Sequence, residues 1–130
     1  EKATSNICTN SGLCALAFSI HMTLMGEAGL RKLAAINHAN AVLLADMLSA
    51  IPGLEVLNKT FFNEFTIRIP WDAAKAINYL ADLGVLGGVP VSRLEPNNPD
   101  LANLIVVAST EINTDADRAA FAKALKEVLA

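Results

Sequence analysis

The strongest constraint on the fold is a change of period at Pro52 and Gly53. Before it, apolar side chains recur at helical spacing: Leu13, Leu16, Ile20 and Leu24 with Ala17 on the same stripe, then Leu30, Leu33, Ala34, Ala41, Leu44, Leu48 and Ile51. After it, in "FFNEFTIRI", Phe61, Asn63, Phe65, Ile67 and Ile69 alternate with Phe62, Glu64, Thr66 and Arg68, the period of a half-buried strand. A chain that changes from one period to the other has to pack helices against a sheet.

Within the first part, "GEAG" at 26–29 interrupts the helical pattern and predicts two helices, the second stopped by "PG" at 52–53. In the second part, "LEVL" at 54–57 is the hairpin partner of the alternating strand. Asp72 caps a helix carrying Ala73, Ile77, Leu80 and Ala81, and Gly84 stands where a left-handed C-terminal cap is needed. "VLGGVPVSR" at 85–93 supplies one or two short extended pieces, and "EPNNPD" at 95–100 a loop. "LIVVA" at 104–108, apolar without interruption, predicts a central strand buried on both faces. Thr114 and Asp117 open a last helix in the manner of a capping box, with Phe121, Leu125 and Val128 inward. The fold class is α+β: a small, mostly antiparallel sheet covered by helices and preceded by two helices. The expected organisation is one domain over 1–130, with a helical lead-in at 1–51 and a sheet-and-helix core at 54–130. Without an initiator Met, and starting inside dense local structure, the sequence reads as a piece of a longer chain.

Charge and composition narrow the function. The chain has 130 residues, 53% hydrophobic and 18% charged, with mean hydropathy +0.40. That is richer in apolar residues than the usual ~45–50%, so part of the apolar surface is expected to face another domain or subunit. A net charge of −3 with scattered Lys and Arg gives no electrostatic footprint for nucleic acid. The apolar run Leu13–Met25 is shorter than the ~18 residues of a membrane span, and no charged region precedes it as in a signal peptide. Neither nucleic acid nor membrane is an expected partner. Cys8 and Cys14 match neither a CxxC pair nor a zinc spacing, and read as buried reduced thiols of an intracellular protein.

Few residues carry chemistry. His21 and His38 fall on different predicted helices, so no metal site is expected. Gly84, Gly87 and Gly88 lack the strand–GxGxxG–helix setting of a dinucleotide loop and read as a turn or bulge. Asn63 with Glu64, and Glu111 with Asn113 in "STEINT", are each either hydrogen-bonding elements or contact residues. In the opening "EKATSNICTN", the side-chain oxygens of Thr4, Ser5 and Asn6 suit a helix N-cap. The same helix end, with free N–H groups and partial positive charge, also suits a phosphate.

Taken in order, "EKATSNICTN", "FFNEF", "GVLGGVP" and "STEINT" resemble the glycine decarboxylase P-protein of the glycine cleavage system, more narrowly the C-terminal domain of its bacterial subunit 1. The resemblance spans the whole chain, and its most specific part is the opening ten residues. It implies the small C-terminal domain of a fold-type-I pyridoxal-phosphate enzyme, in a bacterial cytoplasmic assembly. The cofactor would be pyridoxal 5'-phosphate, held covalently by a lysine of subunit 2, so this chain would supply no catalytic residue, Lys2 included. The partners implied are subunit 2, glycine and lipoylated H-protein, in a heterotetramer that decarboxylates glycine and passes an aminomethyl group to the lipoyl arm. The segment "ATSN" is similar to a Gly-Thr-x-Asn segment whose threonine reaches the cofactor phosphate across a subunit interface. On that pattern Thr4, with Ser5 and Asn6 beside it, is the cofactor-binding candidate. Ala3 in place of the glycine makes the match looser. "LIVVAST" lacks the arginine that related aminotransferases use for a substrate carboxylate, and alone the chain would be inactive. The same α+β order also builds stand-alone interaction or small-ligand regulatory domains, which is the alternative reading.

Overall fold

The structure, a computed structural model, describes residues 11–129. It divides into two compact units with the boundary between Ala34 and Ala35. Helix α1 (Gly12–Ser49) begins in the first unit and continues past that boundary.

In the first unit, α1 leaves helical geometry at Gly26 alone, with φ 59° and ψ −174°, inside the "GEAG" where a break is expected. The helix resumes at once on the far side of this kink, so the two helices read from the sequence are both present, joined at Gly26. Residues 11–20 are all exposed, Cys14 among them, which corrects the buried thiol expected there, and Leu24 is 82% exposed. Ser19 Oγ donates to the Ala15 carbonyl and Thr23 Oγ1 to the Ser19 carbonyl, both at 2.8 Å, returning each hydroxyl to its own helix. Arg31 pairs with Glu27 one turn earlier, a surface contact of small worth.

In the second unit four strands order as β1-β2-β4-β3, every pair antiparallel: β1 (Glu55–Val56), β2 (Glu64–Arg68), β3 (Val89–Pro90) and β4 (Leu104–Ala108). "LEVL" does pair with the alternating strand, Glu55 opposite Arg68 and Val56 opposite Ile67. That strand is shorter than its alternation, starting at Glu64. On one face Phe65 lies opposite Val107 and Ile67 opposite Ile105, all at most 2% exposed. Ala41, Leu44, Ala45 and Leu48 of α1 join the same core, as do Ala73, Ala76 and Leu80 of α2 (Ala73–Asp82) and Phe121, Ala124 and Leu125 of α4 (Asp115–Val128). Each large side chain so buried contributes about 1.5–3 kcal/mol.

Strand β4 is central, as its apolar run implies, but it is not covered on both faces. On its second face Leu104 is buried, Val106 half-buried and Ala108 exposed, because the helical core residues gather on the Ile105 and Val107 face. "VLGGVPVSR" gives one extended piece, β3, as expected, followed by one helical turn that the sequence did not announce, α3 (Val91–Leu94), where Pro90 supplies a ready φ of −66° at the helix start.

The caps follow the sequence closely. Asp72 accepts from the Lys75 N–H at 2.9 Å. At the other end of α2, Gly84 has φ 78°, with its N–H donating to Ala81 and the Val85 N–H donating to Leu80, each at 2.9 Å. This is a Schellman ending, which requires a left-handed residue at that position. Thr114 and Asp117 form a full capping box at the start of α4.

Candidate functional site

In the second unit a groove of about 660 Å³ lies at the C-terminal end of β4. One wall is the Gly84–Val89 segment and the other is Val106–Ser109, with α4 behind. Glycine is needed twice in the first wall. A Cβ on Gly87 would stand 2.6 Å from Leu80 Cδ1 and 2.9 Å from Phe121 Cε2. One on Gly88, where φ is 122°, would overlap the Val106 carbonyl oxygen. The two glycines therefore serve close packing and strand approach, and the turn falls earlier, at Leu83 and Gly84.

The "STEINT" segment closes the end of the groove and is fixed by hydrogen bonds. Asn113 Oδ1 accepts from the Thr110 N–H at 2.8 Å. Two asparagines of α1 reach it as well: Asn37 Oδ1 accepts from the Glu111 N–H at 2.5 Å, and Asn40 Nδ2 donates to the Thr110 carbonyl at 3.0 Å. The Glu111 side chain is exposed. Asn113 thus acts within the loop. Arg118, 6% exposed, donates to the Asn113 carbonyl at 2.5 Å and pairs with Asp115. Its guanidinium is spent on holding the loop to α4. Ser109 is 1% exposed, its N–H donates to the Asn63 carbonyl at 3.0 Å, and its hydroxyl has no protein partner. Asn63 therefore serves the sheet through its backbone, while Glu64 is exposed at the groove edge.

Asp117 also lines the groove, and its carboxyl is held below its ordinary value of 3.8, chiefly by the Thr114 hydroxyl and then the Thr114 N–H, with Arg118 adding a smaller pull. At neutral pH it is ionised, Glu64 stands on the same groove, and the Arg118 guanidinium is already paired with Asp115. The groove is not an anion cradle. A second hollow, of about 550 Å³, lies between α1 and the β1–β2 connection, lined by His38, Asp46, Lys59 and Phe61 among others. There the His38 ring stacks on Phe62 at 8° and its Nδ1–H donates to the Phe62 carbonyl at 2.9 Å, which fixes the tautomer.

Thr4, Ser5 and Asn6, the cofactor-binding candidates, lie outside the described residues, as do Lys2 and Cys8. Among the described residues no group of three or more His, Cys, Asp or Glu could hold a metal ion. Lys32, Lys59, Lys75, Lys123 and Lys126 are all exposed, and none lines the larger groove. The described residues by themselves do not fit pyridoxal phosphate, since they offer neither a sheltered lysine nor an uncommitted buried cation. Sequence reasoning missed Asn37, Asn40 and Arg118. Two asparagines a helical turn apart, and an arginine directly after a capping box, were the available signals.

The family described as glycine cleavage system P-protein matches residues 1–124. The probable glycine dehydrogenase (decarboxylating) subunit 1 of Azorhizobium caulinodans is 69% identical over 130 residues, 100% of this chain and 29% of the relative. Its namesake in Parvibaculum lavamentivorans is 63% identical over 129 residues, 99% of this chain and 29% of the relative. The chain therefore spans less than a third of the length of these relatives. Among solved structures, an inhibitor-bound glycine decarboxylase (P-protein) of the glycine cleavage system superposes with TM-score 0.82 at 37% identity, over 98% of this chain and 28% of that one. A NifS-like protein at 16% identity and TM-score 0.64, over 89% of this chain and 31% of that one, shares the α+β layout expected of fold-type-I enzymes. With the family match running over residues 1–124, the opening ten residues included, and the fold superposing on a solved P-protein, the chain belongs to the glycine cleavage system P-protein family.

Proposed function

We propose that the chain is the C-terminal domain of a glycine dehydrogenase (decarboxylating) subunit 1, a single domain of a longer protein with a helical lead-in and a sheet-and-helix core. The observation that carries this reading is the 69% identity, end to end, to a relative of that name. Together with a subunit 2 bearing pyridoxal phosphate, the protein decarboxylates glycine and transfers the aminomethyl group to the lipoyl arm of H-protein in the bacterial cytoplasm. The cofactor supplies the electron sink for the carbon that loses carbon dioxide. This chain supplies architecture and interface, which agrees with the exposure of every described lysine.

The test is glycine-dependent release of carbon dioxide by subunit 2 and lipoylated H-protein, with and without the full-length protein carrying this domain. Release that requires that protein supports the reading. A complex that forms, holds cofactor and releases none refutes it.

Within this reading Thr4, with Ser5 and Asn6, contacts the cofactor phosphate across the subunit interface. Thr4→Val in the assembly is then expected to weaken cofactor affinity by ~10-fold, the scale of one hydrogen bond to a charged group. Unchanged affinity and turnover would remove Thr4 from the site.

A further inference from the structure

From Ser11 to Gly26 there is no Asp, Glu, Lys or Arg, and the polar side chains Ser19, His21 and Thr23 are spread over about 200° of the helix, at 3.6 residues per turn, with apolar ones between them rather than gathered on one face. Leu13, Ile20 and Leu24, at 81%, 51% and 82% exposed, share one stripe. Phe18, 63% exposed, stands about 140° around the helix from Leu13 at 3.6 residues per turn. A helix that docks on a partner through one face keeps a polar face for water, whereas one apolar on all sides is enclosed. The hydroxyls of Ser19 and Thr23, bonded back to their own helix, ask nothing of what surrounds them.

We infer that this stretch is an internal helix of the full-length protein, wrapped on several sides by the polypeptide that the relatives carry outside the matched 29% of their length. The inference deepens the structural role proposed above and does not depend on the reaction. Two other occupants fit less well. Lipid is one, because α1 does contain an 18-residue window of mean hydropathy 1.4. The apolar run nevertheless spans only Leu13–Met25, short of the ~20 residues that cross a bilayer. The break at Gly26 also interrupts the backbone hydrogen bonding that lipid cannot replace. A second copy of α1 is the other, but a two-helix pairing would cover one stripe and leave Phe18 in water.

Cys14, exposed in this chain, is a built-in reporter. Its alkylation by a maleimide is followed by mass spectrometry of the peptide that contains it. The samples are the 130-residue chain, the full-length protein, the full-length protein with subunit 2, and a guanidinium-denatured reference. Labelling at close to the denatured rate in the 130-residue chain, and ~100-fold or more slower in the full-length protein alone, is the expected result. Fast labelling in the native full-length protein overturns the inference. Protection that arrives only with subunit 2 assigns the surface to the other subunit instead. Protection in the 130-residue chain that grows with its concentration assigns it to a second copy. Co-sedimentation of the full-length protein with neutral phosphatidylcholine vesicles, with Cys14 protected only there, assigns it to lipid. If the 130-residue chain labels like the denatured reference because it is unfolded, the comparison of native with denatured full-length protein still decides.

Discussion

In the second unit Phe65, Ile67 and Ile105 are at most 2% exposed, whereas in the first part of α1 Leu13 and Leu24 are 81% and 82% exposed. Both regions are rich in apolar residues, yet only one places them inside. In the sheet unit the apolar positions alternate or recur beside polar ones, so one face is committed to a core and the other to water. In α1 before Gly26 there is no such partition, and the apolar side chains point every way. High hydropathy therefore reports that burial happens somewhere, and the pattern reports whether it happens within this stretch of chain.

The sharpest way to break this comparison is a pair of truncations in the 130-residue chain. Phe65→Ala removes a ring that is 2% exposed and is expected to cost about 3–5 kcal/mol in denaturant unfolding. Leu24→Ala is expected to change it by less than about 0.5 kcal/mol, as a surface substitution does. Equal costs would show that α1 has a core of its own. Next in size is Gly88→Ala, which meets both a φ of 122° and the Val106 carbonyl, with an expected loss of about 2–3 kcal/mol in the same assay. A neutral result would mean that β3 moves freely off β4.

The smallest effect lies at the start of α4. Thr114→Ala removes the cap and is expected to cost about 1 kcal/mol. Asp117 sharpens this through pH. Because its pKa in the folded state is lowered from 3.8, its contribution is present above that value and is lost as the pH falls through the lower folded value. Acid unfolding followed below pH ~4 should therefore show less pH dependence in Asp117→Asn than in the parent. An identical acid limb in both would exclude a stabilising role for the carboxylate.

How much of this was legible in the sequence depends on whether the signal is local. The capping box of Thr114 and Asp117, the N-cap of Asp72 and the left-handed Gly84 were legible because each rests on neighbours within a few residues. The interior place of β4 was legible too, since five apolar residues in a row do not belong at a solvent edge. That its Val106 face stays partly open was not, because an unbroken apolar run carries no record of which face is covered. The groove was least legible. It depends on Asn37 and Asn40 bonding to residues 74 and 70 positions away, and on Arg118 turning inward, where polar side chains in a helix ordinarily face water. The phosphate candidates Thr4, Ser5 and Asn6 lie outside the described residues, so their place rests on the resemblance alone.

The strand order β1-β2-β4-β3 has a consequence for how the chain is made. The last strand to leave a ribosome is the one that enters between the two made before it. Until Leu104–Ala108 has emerged, β3 has no neighbour and β2 has only the two residues of β1, so two sticky edges wait while the rest is synthesised. Nascent chains halted before residue 104 should therefore need chaperone protection that chains released after α4 no longer need.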